Sequence, residues 1–401
     1  MIYRKVLLLL CLVFLLSISA TMQLDVKASP AIIKVPQDYT TIQEAINQAN
    51  PGDTIQVSSG TYQESLFINK TLTLIGEDKN NTILDGSGCG STVIQANLTT
   101  VNISGFTIKG GSNGIWLEKC SGSVITGNNI TAKSRGIWLH YSHNNTVSDN
   151  AVMGNFSWRG IVLCGQSSNN TVVRNTIKGN EEGLGITGEN NLIIYNNFIN
   201  NQNQAVMLES HYNSWNNTYE GNYWSNYNGT DANQDGTGDT PYPIDENNQD
   251  NHPLMGMFSQ FKTQWTGQNY TLTTICNSTI SNFTFQTIPQ NTISFNVTGP
   301  TGTTGFCKIL IPHALFGDNY TILIDGLAPT TEKELPPSNS THTYVYFTYT
   351  LTTHEVIIVP EFPTTMILTL LIILSLTAAC LVRKVNPDKK RKNTEKAHVP
   401  G

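Results

Sequence analysis

The sequence predicts an all-β chain: a parallel β-helix with an N-terminal capping helix, then a small β-sandwich and a C-terminal transmembrane helix. Three observations carry that reading. A short apolar phrase returns along the first half: GIWL at 114–117 and 136–139, GIVL at 160–163, GLGI at 183–186 and AVML at 205–208. Its steps are 22, 24, 23 and 22 residues. After about residue 260 the repeat stops and longer two-residue alternations begin. Near the end, residues 364–382 carry no charge.

The elements follow in chain order. Arg4 and Lys5 precede an apolar run ending at Ile18 and the small residues Ser19 and Ala20, so residues 1–28 read as a secretory signal. A helix comes next. In TTIQEAINQANPGD (40–53), Thr41 and Glu44 stand at capping-box spacing, Ile42, Ala45, Ile46 and Ala49 share one face, and Pro51-Gly52 stop it. A helix there would cover the first strand edges, which otherwise invite pairing.

The β-helix is assigned to residues 32–256. Its repeats are broken by Asn, Gly and Ser, the chemistry of strands and tight turns. A second phrase runs beside the first: ITGNNI (125–130), VSDNAV (147–152), VVRNTI (172–177) and IIYNNF (193–198). Asn128, Asn150, Asn175 and Asn196 hold one position in it, and Phe106 stands there one repeat earlier. Coils stacked about 4.8 Å apart would turn these residues into a ladder of amides at an αL corner. A leucine-rich repeat would need a helical segment and a leucine spacing that are not there.

The sandwich is assigned to 260–359, on runs such as TISFNV, CKILIP and THTYVYFTYTLTTHEVIIV with Gly and Pro turns between them. Residues 364–382 are long enough to cross a bilayer. Seven basic against two acidic residues in 383–401 place that tail in the cytoplasm and the body outside, in a single-pass membrane protein. Sixteen Asn-x-Ser/Thr sequons between Asn69 and Asn339 fit a glycoprotein. Counted from the end of the apolar leader, residues 21–382 keep 14 basic against 27 acidic residues, which argues against a nucleic-acid partner. Of seven cysteines, Cys11 and Cys380 lie in apolar segments and five remain, an odd number. Cys276 and Cys307 share the sandwich and are the pair expected to bridge.

VPQDYTTIQEAINQANPGDTIQVSSGTYQESLFINKTLTLIGE is similar to the opening of pectin-lyase-like β-helices. The Asn-rich repeats with GNYWSNYNGTDANQDGTGDTPYPID resemble the NosD-like family, the carbohydrate-binding and sugar-hydrolysis type of repeat, in an archaeal-type cell-surface protein. The resemblance covers about residues 35 to 255 and implies a right-handed parallel β-helix. It implies function loosely, because that family includes a periplasmic protein of copper-site maturation as well as sugar-binding proteins.

Side-chain parity then marks one face. If Ile115 and Leu117 point inward, Trp116 and Glu118 point outward, and Trp138 and His140 repeat them one coil later. Exposed indoles are costly unless they meet something, and the apolar face of a sugar is a common partner. The rival reading is cover by a loop or a glycan. Polysaccharide or a surface-layer component is therefore the expected partner, with the membrane. Glycoside hydrolysis needs two carboxyls about 5 to 10 Å apart. On this face Glu118 and Glu209 stand four coils apart, roughly 19 Å, so catalysis as a lyase or hydrolase is a secondary reading.

Metals give the remaining expectations. Asp231, Asn233, Asp235, Thr237 and Asp239, with Gly236, follow the spacing of a calcium loop, but the twelfth position is Tyr242 and not a bidentate glutamate. Calcium at such an incomplete site stands against a loop whose Asp and Asn side chains bond its own backbone. Copper is a weaker expectation: His140, His143 and Cys164 fall on neighbouring coils without a dense Met/His run.

Overall fold

The computed structural model describes residues 29–154, 158–317, 319–336 and 338–361. The signal, transmembrane and tail assignments lie outside them. Among the described residues no helix is long and apolar enough to cross a membrane. The described residues form two compact units, 29–228 with 240–253, and 229–239 with 254–361.

The first unit is a parallel β-solenoid of three sheets with eight, seven and eight strands. One sheet runs from Ile32–Val35 to Leu192–Ile194, the second from Leu66–Ile68 to Asn203–Met207, the third from Gly60–Tyr62 to Tyr223–Trp224. Successive coils pair in register, so inward residues stack in columns. Leu74, Ile103, Ile125, Val147, Val172 and Ile193 form one. Ile115, Ile137, Ile161 and Leu184 form another. All of these are fully buried, and burying each Ile or Leu stabilises the coil by about 1.5–3 kcal/mol.

Helix Ile42–Gln48 buries Ile42, Ala45 and Ile46 in the solenoid core. Thr41 accepts from the Glu44 amide as its spacing predicts. The reciprocal carboxylate comes from elsewhere: Glu64, on the next coil, accepts from the Ile42 and Gln43 amides at 2.9 Å. Lys70 donates to the carbonyls of Asn47 and Ala49 at the other end, where a cation suits the helix dipole.

The asparagine ladder forms. The amides of Asn128, Asn150, Asn175 and Asn196 each donate to the Oδ1 of the next coil's Asn, and Asn222 follows. A second ladder runs through Asn145, Asn170, Asn191 and Asn213. One expectation is corrected. The αL residue is the one before each ladder Asn: Gly127, Asp149, Arg174 and Tyr195 have φ of 57 to 65°. The ladder Asn must keep its own amide N–H aimed along the stack, so the turn is made one residue earlier.

The second unit packs two antiparallel sheets, of five and four strands between Met257 and Pro360, on one core that includes Leu272, Phe295, Ile309, Phe347 and Val356. Cys276 and Cys307 are opposite partners on neighbouring strands, both buried. The bridge expected between them is not formed. Both are free thiols, and Cys276 Sγ lies 3.4 Å from the Tyr349 hydroxyl.

Candidate functional site

The seven-stranded sheet carries the residues singled out above. On it Phe67, Gln95, Trp116, Trp138 and Val162 form one outward column. Asn97, Glu118, His140 and Cys164 form the next. The alternation that buries Ile115, Leu117, Ile137 and Leu139 completely leaves Trp116, Glu118, Trp138 and His140 partly exposed. All four expected wall residues are therefore together on one face.

Their contacts are specific. The Trp116 and Trp138 rings stack at 4.5 Å with 11° between planes. The Arg135 guanidinium carbon sits 4.5 Å from the Trp138 centroid. Since Trp116 holds one face of Trp138, Arg135 takes the other, a cation–π contact. The pair thus offers solvent its ring edges, and Trp116 keeps one face toward the Gln95 coil. Two coil spacings, about 10 Å, separate Phe67 from Trp116 across Gln95. Gln95 is the residue between the two aromatic side chains in this column.

The second column is polar. His140 Nδ1 is 2.6 Å from Glu118 Oε2. Trp138 Nε1 donates to Cys164 Sγ at 2.8 Å. By register the equivalent partner for Trp116 is His140, whose Nδ1 is given to Glu118, and Trp116 Nε1 is buried without a hydrogen bond. Burial pushes the Cys164 thiol upward, and the Trp138 N–H and nearby arginines oppose it. Beyond Trp138 the wall closes. Arg159 and Glu182 pair across Val162 and Gly185, and Val162 is 1% exposed.

The metal expectations fare differently. The candidate calcium loop turns on its own backbone: Asp231 accepts from the Asp235 and Gly236 amides at 2.9 Å. Asp235 accepts from Thr237 N–H and from the Asn233 side chain. Asp239 accepts from Ala232 N–H and the Thr230 hydroxyl. Burial raises the Asp231 carboxyl, and Asp235 and Asp239 beside it add to the rise. For copper, the residues named do not converge. His140 holds Glu118, Cys164 holds Trp138, and His143 Nδ1 takes the Ser168 amide at 3.2 Å. Among the described residues no group of three or more His, Cys, Asp or Glu could hold a metal.

Sequence reasoning missed Phe67, Gln95 and Arg135. Phe67 and Gln95 lie 28 residues apart, outside the 22-to-24-residue step, so only the register joins them. Arg135 stands at a strand start, where parity does not yet apply.

The family profile described as periplasmic copper-binding protein (NosD) matches residues 46–167 and 79–229. A cell surface glycoprotein of Methanothermus fervidus is 33% identical over 129 residues, 32% of this chain and 21% of that protein. A probable ABC transporter binding protein NosD of Stutzerimonas stutzeri is 42% identical over 59 residues, 15% of this chain and 14% of that protein. The chain thus spans well under half the length of either relative. Among solved structures, an alginate lyase from Paenibacillus sp. FPU-7 aligns at TM-score 0.34 and 17% identity, over 49% of this chain and 77% of that one.

Proposed function

We propose that this chain, whose residues 46–229 match the NosD family profile, is a membrane-anchored cell-surface protein that binds polysaccharide through the Trp116–Trp138 wall. One observation carries the reading: a solvent-facing aromatic column, Phe67, Trp116 and Trp138, interrupted by Gln95 and bordered by the Glu118–His140 pair. Aromatic edges and faces contact the apolar side of a sugar, and amide, carboxylate and imidazole take its hydroxyls. A cell surface glycoprotein among the relatives supports the location. Binding is favoured over hydrolysis because Glu118 is committed to His140 and Glu182 to Arg159.

Affinity electrophoresis in gels containing a panel of polysaccharides tests it. At least one should retard the protein. Trp116→Ala and Trp138→Ala should each weaken retention by about tenfold, which corresponds to ~1.4 kcal/mol. Undiminished retardation of both variants would sink the assignment.

A further inference from the structure

Charge is distributed unevenly along the solenoid, and the basic stretch spans the coils that carry the open wall. Residues 92–178 hold seven Lys and Arg against two acidic residues, Glu118 and Asp149, although the exported body as a whole is acidic. Both acidic residues are engaged, Glu118 with His140 and Asp149 with Arg174 in a bidentate pair. Arg159 is neutralised by Glu182 from the next coil, and Lys109 lies 3.4 Å from Asp85. Of the four that remain, Lys178 stands on the third sheet, away from the wall, and Lys119, Lys133 and Arg135 flank the wall strands. Among the described residues none of the three has a carboxylate partner.

Their positions frame the aromatic column. Lys133 and Arg135 stand where the strand Arg135–His140 begins, and Lys119 follows the far end of the neighbouring strand Asn113–Glu118. Six strand residues at about 3.3 Å each put these cationic ends roughly 17 Å apart, with Trp116 and Trp138 between them. Arg135 is the best placed. Its guanidinium rests over the Trp138 ring, 4.5 Å from the centroid, so that contact restrains it and its N–H donors cost less entropy to use. A planar fork of donors fits a carboxylate or sulfate better than a hydroxyl.

We propose that the ligand of this wall is an acidic polysaccharide, whose sugar rings lie along the indoles while an acid group pairs with Arg135 and the chain's charge is drawn to Lys119 and Lys133. This rests on the carbohydrate reading above and narrows it to one chemical class. The surplus of positive charge is local, so attraction is expected within about 10 Å at ordinary ionic strength and falls with salt.

The full-length protein is tested against polygalacturonate, sulfated dextran, neutral dextran and double-stranded DNA at two salt concentrations. Binding to an acidic glycan at least tenfold tighter than to dextran, weakened by salt, is expected. Arg135→Ala should reduce that binding about fivefold or more, Arg135→Lys should restore part of it, and Lys119→Ala with Lys133→Ala should flatten the salt dependence. Circular dichroism of each variant checks that the solenoid is intact. Equal binding of neutral and acidic glycans would overturn the proposal and leave the carbohydrate reading standing. Binding to none would remove both, and equal retention of DNA would reduce the site to unspecific charge.

Discussion

At the scale of single residues, Asp250 shows how the solenoid ends. The ladder through Asn222 passes to a carboxylate: Asp250 Oδ2 accepts from the Asn222 amide at 2.7 Å and from Trp224 Nε1 at 2.9 Å. It is fully buried, and burial pushes its pKa from 3.8 up to about 6 against the pull of those donors. The folded chain therefore keeps a proton that the unfolded chain releases between pH 3.8 and 6. Stability from this group is present below pH 3.8, falls as pH rises, and is about 3 kcal/mol lower above pH 6. Asp250→Asn mimics the neutral acid. Urea unfolding should find it close to wild type at pH 4 and more stable at pH 7, by up to about 3 kcal/mol. A variant less stable than wild type at pH 7 would show that the donors, not burial, dominate.

At the scale of elements, the loop 229–239 separates spacing from environment. Its Asp/Asn rhythm was legible as a cation loop or as a self-bonded turn, and spacing alone cannot choose between them. The loop's own amides bond its carboxylates, which is the geometry of the self-bonded turn, while each carboxylate keeps lone pairs that a cation would use. Asp231→Ala would strand two N–H groups and should destabilise the second unit by about 1–3 kcal/mol in a thermal melt. A chelator should leave the wild-type melting temperature unchanged; a drop of several degrees would restore the calcium expectation. The strands and the amide ladder were more legible than this loop, because their chemistry repeats at a fixed step. The αL corner was misplaced by one residue because Asn suits both jobs, and only Gly127, Asp149, Arg174 and Tyr195 in that conformation separate them.

At the scale of the molecule, the chain leaves the solenoid after 228, contributes 229–239 to the second unit, and returns with 240–253 to close the first. Asn248 and Asp250 then accept from Asn213 and Asn222, 35 and 28 residues back, and finish both ladders. Such a return has no signature in a 22-residue repeat, so the sequence placed one boundary near 256 where the structure interleaves two units. The wall was legible in part for the same reason. Trp116, Glu118, Trp138 and His140 obey the repeat, whereas Phe67 and Gln95 belong to irregular early coils. That this wall is the part of the molecule that meets polysaccharide is tested most directly by oxidative footprinting with peptide mass spectrometry. A bound acidic polysaccharide should shield Trp116 and Trp138 while Trp265, in the second unit, keeps its reactivity. Shielding of Trp265 alone, or unchanged oxidation of both wall indoles under saturating ligand, would contradict the account.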